Sequence, residues 1–288
     1  MKFTRAARVR VLVAVVGAVL LMGVRPLTAQ AGIDTYVSLG DSYTAGPLIP
    51  NQLTDPPGCQ RSDHNYPHRV ARTRGSILRD PSCSGATTRD LSAPQTTNLG
   101  VNPAQLDRLD ARVTVVSLQI GGNDIGFSEI LQRCAAPIPL GTPCRNVYAP
   151  GSVDEISRRI DATAPKVAAA LAETARRAPR ARTFVVGYPA ILPETAWGCW
   201  PTMPVAPGDV AYLRDKEKEL NAMLAAEAAA AGATYVDLYG PSIGHDACQL
   251  PGFRWVEPYV PLAPAAPVHP NALGMQRMAR VVAGAMTR

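Results

Sequence analysis

Ser42 follows directly on a short β-branched and aromatic run, Tyr36-Val37-Ser38-Leu39, across Gly40 and Asp41. Such a run reads as a buried strand. Gly permits a sharp turn, and Asp and Ser favour turns and helix starts. The hydroxyl is therefore delivered at the carboxyl end of a strand, where open α/β sheets place their ligands. A serine hydroxyl needs a base to become a useful nucleophile, and acyl transfer needs donors for a developing oxyanion. Gly121-Gly122-Asn123-Asp124 offers one donor, the Asn123 side-chain amide, after two glycines that let backbone approach a substrate closely. Cys83-Ser84-Gly85-Ala86 offers another, because Gly85 has no side chain to shield its N–H. Asp41 is not read as the acid of a triad. If the alternation of the strand continues, it points away from Ser42 and braces the turn.

The chain has four histidines. His64 and His68 flank Asn65-Tyr66-Pro67; the proline argues against one helix carrying both, no third ligand accompanies them, and a surface role is expected. His245 lies beside Asp246 in a Gly-bearing loop. His269, in Val268-His269-Pro270-Asn271, stands on a loop just ahead of the last helical pattern, a position suited to bringing an imidazole over Ser42.

The elements that must hold these groups alternate. Strands are expected over 35–39, 76–79, 113–118, 183–187 and 234–238. Helices are expected over 67–74, 103–109, 153–178, 209–231 and 271–285. Val-rich strands alternating with helices predict a mainly parallel five-stranded sheet covered on both faces. Long Pro-, Gly- and Cys-bearing segments follow strands one, three, four and five, so the elaborations gather over one sheet edge. They carry Trp197, Trp200 and Trp255 with Leu48, Ile49, Ile138, Leu140 and Phe253. Two roles stand open for these residues: a rim for an acyl chain, or packing beneath pinned loops.

Residues 1–31 have the layout of a secretory signal peptide. A basic head with Lys2, Arg5, Arg8 and Arg10 precedes an apolar stretch too short to span a bilayer, and Ala29-Gln30-Ala31 offers a cleavage site. Five of the 29 basic residues and none of the 23 acidic ones fall in that segment, leaving 24 against 23. The net charge of +6 is thus a property of the leader, and nucleic-acid binding is not expected. Residues 32–288 fit a single domain, and nothing in them demands more than a monomer or a stable membrane insertion. Six cysteines, Cys59, Cys83, Cys134, Cys144, Cys199 and Cys248, lie there without a Cys-x-x-Cys. An even count in an exported chain reads as disulfides rather than a metal centre. Of the 15 possible pairings, sequential pairing (59–83, 134–144, 199–248) is expected because each bridge then closes one loop between neighbouring elements.

The order Ser42, Gly85, Asn123, His269 resembles the SGNH hydrolase superfamily, the GDSL lipases and esterases, over essentially the whole of residues 32–288. Within it the chain is similar to secreted actinobacterial lipases and esterases with three disulfides. The first block stands as Gly40-Asp41-Ser42-Tyr43, with Tyr where the name-giving motif has Leu; the third stands as Gly121-Gly122-Asn123-Asp124. The resemblance implies a three-layer α/β/α sandwich of flavodoxin-like order. It implies Ser42 as nucleophile and His269 as base, with the Ser42 and Gly85 amides and the Asn123 side chain as oxyanion hole. No metal or cofactor is implied. The substrate is a lipid or short-chain acyl ester, the alternatives being a carbohydrate or aryl-ester deacylase and a non-catalytic secreted binding protein. One block departs: the family's Asp-x-x-His here has Ala266 in place of Asp. The Ala266 carbonyl is the expected support for the imidazole, with Asp246 or Asp237 as alternatives reaching it through space.

Overall fold

The computed structural model describes residues 1–2, 34–195 and 197–287. The segment read as a signal peptide lies almost wholly outside the described residues. Residues 34–287 form an α/β fold around five strands: β1 (Thr35–Gly40), β2 (Ile77–Arg79), β3 (Val115–Gln119), β4 (Arg182–Val186) and β5 (Thr234–Val236). Their order is β2-β1-β3-β4-β5, and every pairing is parallel. The principal helices are α1 (Ser42–Ala45), α2 (Tyr66–Arg74), α3 (Phe127–Arg133), α4 (Glu155–Arg177), α5 (Pro207–Ala230) and α6 (Ala272–Thr287).

Side-chain alternation along the strands produces the three layers. Val37 and Leu39 of β1, with Val116 and Leu118 of β3, pack against Ile156, Ile160 and Val167 of α4 and Leu220 and Leu224 of α5. Tyr36, Val115, Phe184 and Val236 face the other way, onto Val70 of α2 and Met275, Met278 and Val282 of α6. Local signals agree with these limits. Asn65 caps α2 through the His68 N–H, Gly75 closes it in a left-handed conformation, and Asp154 caps α4 through the Ile156 and Ser157 N–H groups.

One expectation is corrected, and two small ribbons are added. The helix read over 103–109 is only a short 3-10 turn, Gln105–Arg108, flanked by extended backbone at Ala104 and Leu109. Its Gln105 side chain turns inward to Gly40 and makes this an anchor rather than a surface helix. Two antiparallel ribbons, Gln52–Leu53 with Arg61–Ser62 and Gln95–Thr97 with Gly100–Asn102, lie in segments with no strand-like periodicity.

The disulfides join Cys59 to Cys83, Cys134 to Cys144 and Cys199 to Cys248. The last ties the segment after β4 to the segment after β5. Further ties join the same edge: the Ala136 N–H donates to the Pro204 carbonyl at 2.7 Å and the Ala266 N–H to the Pro47 carbonyl at 3.0 Å. No helix among the described residues is long and apolar enough to cross a membrane.

Candidate active site

Ser42 stands at the first position of α1, immediately beyond β1. Gly40 is required there by space, since a Cβ would meet the Gln119 carbonyl at 2.8 Å and crowd the Thr44 side chain. Asp41 caps the short helix: Oδ1 accepts the Tyr43 N–H at 2.9 Å and Oδ2 accepts the Tyr188 hydroxyl at 2.5 Å. Its carboxyl braces the turn and makes no bond to His269. Burial pushes its pKa up to about 7, against the opposing effect of the Tyr188 and Tyr43 hydrogen bonds.

The structure brings Ser42 and His269 together across 227 residues of sequence, with Ser42 Oγ at 2.8 Å from His269 Nε2. The other ring nitrogen, Nδ1, lies 2.7 Å from the Pro267 carbonyl. A carbonyl can only accept, so Nδ1 carries the proton and Nε2 presents its lone pair to the serine hydroxyl. The expected support from Ala266 is corrected by one residue: the Ala266 carbonyl instead accepts the backbone N–H of His269 at 3.2 Å. That backbone bond closes a tight turn, and the turn presents the next carbonyl to the ring. Asp246 is occupied by the Cys248 N–H and the Gln249 amide, and Asp237 by the Tyr239 and Gly240 N–H groups. Burial lowers the His269 pKa below its ordinary value of 6.5, and the Pro267 bond offsets this only in part.

The loop bearing His269 is fixed from two sides. The Tyr43 hydroxyl donates to the Val268 carbonyl at 2.7 Å, and the Tyr43 ring lies 5.0 Å from the imidazole, centroid to centroid. From behind, the Glu257 N–H donates to the His269 carbonyl at 2.9 Å. The Glu257 carboxylate is buried, pairs with Arg254 at 2.7 Å and accepts the Asn271 amide at 2.7 Å. Asn271 in turn accepts the Gly274 N–H at the start of α6. This Arg254–Glu257–Asn271 cluster carries no sequence motif.

Gly85 adopts φ +78°, a left-handed turn that favours glycine. The Asn123 amide donates to the Ala86 carbonyl at 2.9 Å with one of its two hydrogens, and Asn123 and Ser42 line one cavity. Among the described residues, neither the Ser42 nor the Gly85 N–H has a protein acceptor. Tyr188, just beyond β4, stitches the blocks together: its oxygen accepts the Gly122 N–H at 3.0 Å while its hydrogen goes to Asp41. The remaining histidines lie elsewhere. His64 pairs with Asp63, His68 meets Asn65 and Asp80, and His245 stacks on Trp255 with Nδ1 on the Phe253 carbonyl. No group of three potential metal ligands occurs among the described residues.

The cavity beside Ser42 runs beneath the helices, lined by Phe127 and Ile130 of α3, Ile156 of α4, Ile191, and Leu213 and Leu220 of α5. None of the loop residues proposed for an apolar rim lines it. Trp255 is buried in the core, Trp197 is 79% exposed, and Trp200 donates its indole N–H to the Ala136 carbonyl. The apolar wall comes instead from helix faces, whose periodicity is shared with ordinary core packing.

Residues 38–277 match the model of the GDSL-like Lipase/Acylhydrolase family. Lipase 2 of Streptomyces coelicolor is 42% identical, over 94% of each chain, and Lipase 1 of the same organism is 30% identical over 91% of each. Among solved structures, an extracellular lipase from Streptomyces rimosus superposes with a TM-score of 0.73 at 26% identity, covering 88% of this chain and 99% of the other. A phospholipase A1 from Streptomyces albidoflavus gives 0.74 at 22% identity, covering 89% and 100%, and so shares the fold. The chain belongs to the GDSL-like lipase and acylhydrolase family, the SGNH hydrolases.

Proposed function

We propose that this carboxylic-ester hydrolase is a secreted serine enzyme that cleaves esters of apolar acyl chains through an acyl-enzyme on Ser42. The observation that carries the reading is the 2.8 Å contact from Ser42 Oγ to a His269 Nε2 whose lone pair is left free by the Nδ1–Pro267 bond. As Ser42 attacks the ester carbonyl carbon, its proton passes to Nε2 and the carbonyl oxygen becomes an oxyanion. The Ser42 and Gly85 amides and the second hydrogen of the Asn123 amide are the donors for that charge. The imidazolium then protonates the alcohol as it leaves. Water enters and gives a proton to Nε2 as it attacks the acyl carbon, and the imidazolium returns that proton to Ser42 Oγ as the acid is released. The cation on His269 is shared with a main-chain carbonyl, because no carboxylate among the described residues bonds the ring. Only the partial charge of a peptide oxygen supports it.

The acyl chain runs in the cavity under α3, α4 and α5. Its apolar lining favours an extended acyl group over acetyl, and the relatives are named as lipases. Export is supported by the leader-like residues 1–31 and by three disulfides. The test is labelling with a fluorophosphonate, beside hydrolysis of p-nitrophenyl esters of two to sixteen carbons. Wild-type protein is expected to label and Ser42→Ala is not, with a rate maximum beyond acetate. Folded wild-type protein that takes up no label overturns the reading.

A further inference from the structure

Besides Asp41, which braces the turn at Ser42, the acyl cavity is lined by one further acid, and the reaction does not use it. Leu213, Glu217 and Leu220 lie at helical positions i, i+4 and i+7 of α5, on one face, and all three line the cavity. An apolar stripe is thus interrupted at its centre by a carboxyl group. Glu217 Oε2 accepts the Ile191 N–H at 3.1 Å, whereas Oε1 is shielded from solvent and has no hydrogen-bond partner among the described residues. The flanking ammonium groups are engaged elsewhere: Lys216 with Asp154 and Glu219, Lys218 with Glu194. Burial raises the Glu217 pKa well above its ordinary value, opposed by the Ile191 bond and Lys218 and reinforced by Asp246 and Glu194. Burial thus favours the neutral acid, whose Oε1 is an O–H donor without a partner among the described residues. A carboxyl left unpaired in an apolar cavity is costly, and a Leu would fill the same stripe without that cost.

We propose that Glu217 is a specificity residue that hydrogen-bonds an oxygen substituent, hydroxyl or keto, carried on the acyl chain bound beside Ser42. The inference rests on the acyl-enzyme reading above and adds a substrate class to it: esters of oxygenated rather than plain fatty acids. Oε1–H donates to the substituent oxygen, while Oε2 remains on Ile191. A plain alkyl chain leaves the donor unpaired and is the poorer substrate.

The experiment is a ladder of p-nitrophenyl decanoates carrying one hydroxyl at successive carbons, compared with unsubstituted decanoate by kcat/KM. Ser42→Ala is the blank. Wild-type enzyme is expected to favour one hydroxyl position about tenfold, one well-formed hydrogen bond's worth. Glu217→Gln, which keeps a donor, retains part of that preference. Glu217→Leu reverses it and raises the rate on the unsubstituted ester. Ser42-dependent turnover with no preferred position in wild type overturns the proposal while leaving the esterase reading intact. So does a preference unchanged in Glu217→Leu. The wild-type ladder decides even if a variant fails to fold.

Discussion

Replacing Tyr43 by Phe removes one oxygen and keeps the ring that packs at 5.0 Å from the imidazole. That oxygen is the sole donor, among the described residues, to the buried Val268 carbonyl. Val268 is a β-branched residue at φ +59°, a conformation that costs about 1–3 kcal/mol and persists only where its surroundings enforce it. Losing the donor leaves a buried acceptor unpaired, worth about 1–3 kcal/mol. If the whole loss falls on the loop, the population with His269 aligned on Ser42 drops by about 5- to 150-fold. Global unfolding does not account for such a drop, because a domain of ordinary stability, about 5–15 kcal/mol, remains folded after it. The expected result for Tyr43→Phe is a kcat lower by about 5- to 150-fold with KM little changed, since the cavity beside Ser42 keeps its walls. The assay is steady-state hydrolysis of p-nitrophenyl decanoate, beside urea unfolding of the same preparation. A variant with wild-type kcat and wild-type stability refutes the reasoning. A variant that loses stability but not kcat shows that the hydroxyl supports the core and not the imidazole.

Three further outcomes are expected. The kcat/KM of the wild type should rise with pH through a midpoint below 6.5 and then hold level, because the proposed mechanism uses neutral His269 as the base and its pKa is lowered by burial; a midpoint above 7 contradicts this. Asn123→Ala should lower kcat by about 10²–10³, as loss of one oxyanion donor does elsewhere, with fluorophosphonate labelling slowed but not abolished; unchanged kcat would remove Asn123 from the site. Asp41 binds its proton more tightly folded, at about 7, than unfolded, at about 3.9. Its contribution to stability therefore falls as pH climbs between those values, and wild type should lose more urea resistance from pH 5 to pH 8 than Asp41→Asn; parallel losses would sink the assignment.

Much of this architecture could be read from the chain because the signals were local. Val-rich strands, Asn65 and Asp154 at helix starts, and glycines at forced turns each carry their reason in a few residues. Ser42 and His269 were legible through their placement after strand-like segments. What stayed hidden was long-range or backbone-borne. The partner of His269 is a carbonyl, and every residue has one, so the sequence leads to Ala266, one residue short of Pro267. Tyr188 and Gln105 meet the site from 147 and 65 residues away through single hydrogen bonds without a surrounding motif. The cavity walls could not be told from core, since Leu213 and Leu220 have the spacing of any packed helix. Glu217 does have a local signal, a lone acid on an apolar helical face.

The grip of Gln105 on Gly40 has a consequence for how this scaffold can change. On that side of β1, pairing with β2 ends at Val37 opposite Arg79. Beyond it, the Gln105 amide supplies an acceptor at 2.8 Å and a donor at 2.9 Å to the Gly40 backbone. One side chain thus stands in for the missing rung of a neighbouring strand. The polypeptide after Arg79 is released from the sheet early enough to cross the strand ends and bring Gly85 there, tethered at Cys83. The crossing loop is tied to the same residue, the Cys83 N–H donating to the Gly40 carbonyl at 3.1 Å. Changes over 84–88 therefore bear on the strand end that carries Ser42, and the Gln105 amide is the second hold that keeps that end in register.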